Sequence, residues 1–533
     1  MSERATSFWG WGWADKFPDP EALAAIGEQV AGLLGRAVGG PRPAPTIEQA
    51  VLPAARVDVP SALSAFCGAS RLERASHTYG KAYRDLVRGF RGDFSSAPDL
   101  VARPRTESEV GRVLDYCDAN QIAVIPYGGG TSVVGGVEAS LGPGHRAAVS
   151  LDLRGLGQVL EVDEVSRTAR IQAGATGPGL EAQLQERGLT LRHFPQSFEF
   201  STLGGWIATR AGGHFATLYT HIDDLVESTR MLTPRGVLET RPVPASGAGP
   251  GPDRLVLGSE GALGVITEAW VRVQPRPRFR VSASVLFDQF DAAVSAVREV
   301  SQSGLYPSNC RLLDAQEALM NGVAVGQCVL LLAFESADHA LGPWMDRALA
   351  IATALGGQCP KGPVSRSGNE KASLDAAGSW RAAFLEAPYL QNALVNLGVI
   401  ADTFETACTW KAFPGLHREV TERVRECLVR VCGGGLVSCR FTHVYPDGPA
   451  PYFTFVAPGR VGAELEQWAE LKEAASEALL RAGGTITHHH AVGRVHRRWY
   501  ERERPALFGE VLTAAKQRLD PNGILNPGVL LGP

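Results

Sequence analysis

No stretch of this sequence approaches the ~18 uninterrupted apolar residues that a membrane-spanning helix needs. Its longest runs, such as Val329 to Phe334, are far shorter. No C-x-x-C pair occurs among the nine cysteines at 67, 117, 310, 328, 359, 408, 427, 432 and 439, and their number is odd. That excludes a disulfide framework and a zinc ribbon and suits a reducing compartment. An excess of one charge is missing too. The 52 basic and 56 acidic residues leave a net charge of −4, so no strong field draws the chain to nucleic acid or to a membrane surface. Only seven of the basic residues are lysines, which reads as a coding preference for arginine. The opening MSERATSFWGWGWADKF lacks the positive-then-apolar layout of a secretory signal. The closing LLGP is not the usual peroxisomal tripeptide. The expectation is a cytoplasmic protein with no nucleic-acid partner and at most peripheral membrane contact. A homodimer is left open.

Glycine, in contrast, is plentiful. There are 60 in 533 residues, about 11% against a usual ~7%, and they follow no collagen-like or linker repeat. Backbone must therefore approach a ligand closely or turn tightly many times. Thr106-Glu107-Ser108-Glu109 reads as a capping box. Val110, Val113, Leu114 and Cys117 follow it on one helix face. Ile122–Pro126 is a short buried strand that runs into a glycine loop. Thr176 and Pro178 open a helix over 178–187 that Gly188 stops. From about 280, strand (RVSASVLF) alternates with helix (DAAVSAVREVSQSG), the rhythm of a separate substrate domain. An amphipathic helix is expected near 501–519. The Pro/Gly-rich stretches 39–45 and 241–253 read as a boundary and as a surface loop.

Three glycine-rich segments can carry chemistry. PYGGGTSVVGG at 126–136 exposes consecutive backbone N–H groups, which suits an anion, but it has neither a Walker lysine nor the G-x-G-x-x-G spacing. A structural turn explains it equally well. QSFEFSTLGGWIATRAGG at 196–213 reads otherwise as a capped helix, and LGSEGALGVITEAWVRV at 257–273 as a hairpin. His488-His489-His490 is the most conspicuous polar cluster. In an extended chain His489 would oppose the other two, and no nearby Cys, Asp or Glu completes a metal site. Acid–base or polarising groups, a metal site and a structural role all stay open on chemistry alone.

The order PYGGGTS, EFSTLGGWIATRAGG, GSEGALGVITEA resembles the FAD-binding domain of the vanillyl-alcohol-oxidase/PCMH flavoproteins. More narrowly, it is similar to the alkyldihydroxyacetonephosphate synthase family. The likeness continues through GWGWADKF, RLLDAQ (311–316), FETACTW (404–410), SCRFTHVY (438–445), THHHAVGRVHRRWY (487–500) and LDPNGILNPGVLL. It implies an α+β fold with a two-subdomain PCMH-type FAD-binding domain and an α+β substrate (cap) domain of antiparallel sheet and flanking helices. The expected divisions are an N-terminal segment 1–95, an FAD-binding domain 96–278, a cap 279–480, and a C-terminal segment 481–533 that returns the histidine tract to the active site.

By the same resemblance, the FAD contacts fall on Pro126, Tyr127, Gly128, Gly129, Gly130, Thr131 and Ser132, and on Gln196, Ser197, Phe198, Glu199, Phe200, Ser201 and Thr202. Thr209, Arg210, Ala211 and Gly212 belong to them as well, as do Glu260, Gly261, Ala262, Leu263, Gly264, Val265 and Ile266. The family has an acid where Gln196 stands. Covalently flavinylated relatives place His where this chain has Thr131, so a noncovalent FAD is expected. Tyr452 would otherwise be a strand aromatic and Arg311 a surface salt bridge. In the family a tyrosine at this position takes a proton from the substrate carbon beside the ketone. Arg311 matches an arginine near the flavin, and His488, His489 and His490 match an essential tract. A phenol near pKa 10 needs neighbouring His or Arg to act as a base. The implied reaction exchanges the acyl chain of acyl-dihydroxyacetone phosphate, a lipid-like substrate, for a fatty alcohol, with no net redox change (ether lipid synthesis). One position departs from the pattern: Gln391 stands where the synthase has a phosphate-binding arginine. Arg381, Arg440 or another cation must replace it, or the reaction is instead an FAD-linked oxidation, for instance of a 2-hydroxy acid.

Overall fold

The computed structural model describes residues 4–215, 217–368 and 376–532, with backbone alone for 376–385. The expected capping box forms one residue out of register. Thr106 Oγ1 accepts from the Glu109 N–H, but the Glu109 carboxylate reaches back to the Arg105 N–H. The helix Glu107–Asn120 buries Val110, Val113, Leu114 and Cys117, the face read from the spacing. Strand Ile122–Tyr127 lies parallel to Ala147–Asp152, which lies parallel to Leu100–Ala102, with Cys67–Gly68 antiparallel at one edge. The other edge is covered from afar. Val124 exchanges backbone hydrogen bonds with Ile524 and Asn526, which removes an open strand edge.

A second sheet orders Val159–Asp163, Thr168–Gln172, Val265–Arg272, Val226–Thr233 and Gly236–Glu239, all antiparallel. The segment 257–273 is therefore not a hairpin, because its strand pairs with strands distant in sequence. Residues 241–250 are exposed throughout, as a surface loop must be. The expected helix near 501–519 is two, Arg497–Glu503 and Ala506–Leu519. Pro505 lacks an N–H to continue the first and supplies the extended residue that starts the second.

The cap is a seven-stranded antiparallel sheet in the order Val364–Ser367, Phe279–Phe287, Cys328–Ser336, Asn309–Leu313, Leu436–Val444, Pro449–Pro458, Val399–Glu405. Its helices Phe290–Gln302, Gly342–Ala354, Phe413–Cys432 and Glu464–Arg481 pack on one face over Phe287, Phe441, Phe453 and Phe455. Alternation puts the neighbours of these aromatics on the other face. There, Leu313, Arg440, Tyr452 and Glu405 follow one another as cross-strand partners in a single row. A bulge between Phe441 and His443 re-aims His443 onto the same side. Among the described residues no helix is long and apolar enough to cross a membrane.

Candidate active site where the glycine loops meet the cap sheet

The three glycine segments close on one another backbone to backbone. A Cβ on Gly129 would stand 2.0 Å from the Phe200 carbonyl oxygen, and one on Gly128 would stand 2.3 Å from Thr202 Oγ1. Glu260 and Gly261 sit against the same loop: Gly261 abuts the Pro126 ring, and Asn526 Nδ2 ties the Gly136 and Glu260 carbonyls together. The end of 209–212 reaches the cap, because a Cβ on Gly212 would touch His443 and His489. Beneath it His193 is fully buried with neither ring nitrogen hydrogen-bonded, and burial pushes its imidazole down to about 3. A cradle of side-chain-free backbone beside an orphaned neutral imidazole fits a flat polar ring system and its phosphates. Not every predicted residue faces it. Glu199 is exposed, and its carboxylate holds Trp13 Nε1 at 2.6 Å and the Tyr389 hydroxyl at 3.2 Å. Arg210 turns outward to Asp223 at 2.7 Å, and Ala262, Leu263, Val265 and Ile266 are core.

The histidine tract is not extended, so the alternation of an extended chain does not apply to it. It curls around the buried Glu405 carboxylate, which accepts from Thr487 Oγ1 and from the N–H groups of His488, His489 and His490. Burial alone would push this carboxyl up; the three imidazoles and Thr487 instead hold it well below the usual range. His488 Nε2 lies 3.0 Å from His221 Nε2 and 2.7 Å from the Tyr445 hydroxyl, and its Nδ1 lies 3.0 Å from His489 Nδ1. Nitrogens of His443, His488 and His489 fall within 4.8 Å of one another, a spacing that could hold a metal ion. Each is already engaged in a hydrogen bond, His443 Nε2 with the Gly213 carbonyl. Reading the sequence missed Glu405, His221, His443 and Tyr445. FETACTW and SCRFTHVY contain three of them, but only the fold aims them together.

Tyr452 is buried and donates to Thr403 Oγ1 at 2.9 Å. The His489 and His490 rings lie 6.0 and 5.4 Å from its ring, and the Arg440 guanidinium stands 4.1 Å over its face. The expected depression of its pKa does not occur. Burial outweighs Arg440 and Thr403 and pushes the phenol up. Arg440 pairs with Glu317 at 2.5 Å. Arg311 is no surface salt bridge: it is 2% exposed, donates to the His214 carbonyl at 3.1 Å, and is lowered to about 9 by burial and by Arg440. Gln391 is committed elsewhere, accepting from Trp11 Nε1 at 3.2 Å and donating to the Ala401 carbonyl at 3.4 Å. The side chain of Arg381 lies outside the described residues.

Eight imidazoles, His193, His221, His417, His443, His488, His489, His490 and His496, are held below their ordinary value, in each case chiefly by burial. Unfolding returns them to about 6.5, so the unfolded chain binds more protons at mildly acid pH and stability falls as pH is lowered. Glu260 and Asp314, pushed up to about 7 and about 6 by burial, act with the opposite sign. Asp85 and Glu268 are raised by burial as well, so four carboxyls oppose eight imidazoles. The thermal midpoint is expected to drop between about pH 7 and pH 5; a midpoint that rose over this range would contradict the neutral, buried cluster.

Profiles described as "FAD binding domain" and "FAD linked oxidases, C-terminal domain" match residues 98–241 and 276–530. The alkyldihydroxyacetonephosphate synthase of Dictyostelium discoideum is 32% identical over 86% of this chain and 78% of its own length. Glycolate oxidase subunit GlcD of Bacillus subtilis is 27% identical over 82% and 89%. A solved alkyldihydroxyacetonephosphate synthase superposes over 98% of both chains at 27% identity and a TM-score of 0.79. The chain therefore belongs to the alkyldihydroxyacetonephosphate synthase family of FAD-dependent enzymes.

Proposed function

We propose that this enzyme replaces the acyloxy group of an acyl-dihydroxyacetone phosphate with the alkoxy group of a fatty alcohol, using a noncovalent FAD and no metal. The observation that carries the reading is the row Arg440–Tyr452–Glu405 on the cap face, with His489 and His490 against the tyrosine ring. When bound, the flavin supplies an electron-rich ring nitrogen that can hold the substrate carbon between loss of one oxygen substituent and arrival of the next. The residues of the chain handle protons and charge. Tyr452 takes the proton from the carbon beside the ketone and returns it at the end. Its raised phenol makes it a proton donor at rest, so it must first pass its own proton on. The neutral imidazoles of His489 and His490 lie beside it to receive that proton, and Arg440 over the ring steadies the phenolate. The C–O bond to the acyl group breaks, a fatty acid leaves, and a C–O bond to the alcohol oxygen forms. The alcohol's proton passes to the histidine cluster and then to the departing acid or to solvent.

The phosphate cannot rely on Gln391, whose carboxamide is spent on Trp11 and Ala401. Arg311 and Arg440 are the guanidinium groups close to this buried space, Arg440 held by Glu317, and we assign the phosphate or the enolate oxygen to them. The test is mass spectrometry of the holoenzyme given a long-chain acyl-dihydroxyacetone phosphate and an 18O-labelled alcohol. Equimolar fatty acid and an alkyl ether that carries the label are expected. Flavin bleached by 2-hydroxy acids, with no ether formed, would overturn this reading in favour of oxidation.

A further inference from the structure

Two buried carboxylates, one from each half of the molecule, grip successive stretches of one loop. Glu405 ends strand Val399–Glu405 of the cap sheet. It accepts from Thr487 Oγ1 at 2.6 Å and from the N–H groups of His488, His489 and His490 at 2.6, 3.1 and 3.0 Å. Glu260 lies in the glycine turn of the FAD-binding half. It accepts from the N–H groups of Val492 and Gly493 at 2.9 and 2.8 Å. Between the two grips the chain turns through Ala491 at φ +73°, a left-handed conformation that a residue with a Cβ keeps only when its surroundings hold it there.

The bland explanation is that these are ordinary satisfied core acids, yet it leaves the arrangement unexplained. Glu405 and Glu260 are 2% and 7% exposed, and the hydrogen bonds of both carboxylates go to this one segment. That segment carries the three histidines that meet Tyr452, His221 and His443. A carboxylate accepting several amide N–H groups forms charge-assisted bonds with defined directions, so it fixes a backbone path and does more than fill space. Glu405 also lies 3.5 and 3.8 Å from the Nδ1 atoms of His489 and His490. An N–H facing it is favoured there, which biases which ring nitrogen is left to face the substrate.

We propose that Glu405 and Glu260 are positioning residues, a two-point clamp that holds His488–His490 in their working arrangement and makes that arrangement depend on both halves being docked. This rests on the reading of the tract as part of the active site. Hydrogen–deuterium exchange of the holoenzyme, read by mass spectrometry over peptides spanning 482–495, tests it without any substrate. Glu405→Gln is expected to speed exchange at 488–490 by about tenfold or more, since each amide loses a charged acceptor, while exchange in the distant strand Ala147–Asp152 and the FAD content stay unchanged. Glu260→Gln should act on 492–493 in the same direction but more weakly, because burial leaves this acid only partly ionised near neutral pH. Thr487→Val, which removes one donor and no charge, is the second variant and serves alone should Glu405→Gln fail to fold; a smaller acceleration confined to 488–490 is expected. In turnover, Glu405→Gln should lower kcat with little change in KM.

Unchanged exchange at 488–490 in both variants, or acceleration spread equally over Ala147–Asp152, overturns the clamp. The two ideas fail separately. An altered exchange pattern without any ether product leaves the clamp standing and removes the synthase reading. Ether product with unaltered exchange removes the clamp alone.

Discussion

Replacing Tyr452 with Phe is expected to leave a folded, yellow protein whose turnover has fallen by about 10²–10⁴-fold, the range general acid–base groups contribute. The substitution removes one hydroxyl from a side chain that is 5% exposed and deletes its hydrogen bond to Thr403. That costs on the order of 1 kcal/mol, too little to unfold a cap whose helices pack the opposite face of the sheet. The aromatic ring stays, so Arg440, His489 and His490 keep the ring they pack against. Absorbance of bound flavin, the thermal midpoint and the rate of ether formation measured on one preparation separate the outcomes. Full activity in Tyr452→Phe would remove the tyrosine from the chemistry and return the proton step to the histidines.

The other large effect falls on the glycine loop. Gly129→Ala is expected to abolish stable FAD retention, because the new Cβ would stand 2.0 Å from the Phe200 carbonyl oxygen and 2.6 Å from its carbon. Both atoms are backbone, so no side chain can swing away. Relief requires the 126–132 loop to part from the 196–202 segment, and those are the two walls of the cradle. Overpacking of this kind costs about 1–3 kcal/mol, and each 1.4 kcal/mol expressed at the site is about tenfold in affinity. Gly111→Ala is the control, since nothing lies within 4 Å of its Cβ and it sits within helix Glu107–Asn120. It should keep its flavin and gain about 0.5–1 kcal/mol in stability. Flavin content after gel filtration, with unfolding monitored in parallel, reads both. Wild-type retention in Gly129→Ala would mean that the loop is not a wall of the site.

Much of the scaffold was legible because it is written locally. Thr106, the apolar face of 110–117 and the run Ile122–Pro126 specify helix and strand through short-range capping and periodicity, and they form where expected. The glycine runs were legible for the same reason: a backbone that must touch other backbone tolerates no Cβ at 128 or 129. Pro505 was visible too, yet the apolar spacing beyond it disguised the break as one long helix.

The candidate site was legible only in part. Its histidines and Tyr452 stand out by type and motif, but their relation does not. Strand register puts Arg440, Tyr452 and Glu405 in one row. A bulge turns His443 towards it, and His221 arrives from the other half of the chain. The conformation of the tract was not legible, because nothing local reveals that a carboxylate 83 residues upstream of His488 would curl it.

The phenol of Tyr452 makes the same point through energy. Neighbouring cations argued for a lowered pKa, and burial decided against them. The sequence by itself determined the fold class, the family and its FAD cofactor, since these are carried by side-chain size, backbone freedom and short-range pattern. Tertiary structure alone decided which groups lie within hydrogen-bonding reach of one another. Those outcomes depend on desolvation and on distances of a few ångströms between residues far apart in the chain, and no spacing along a sequence encodes either.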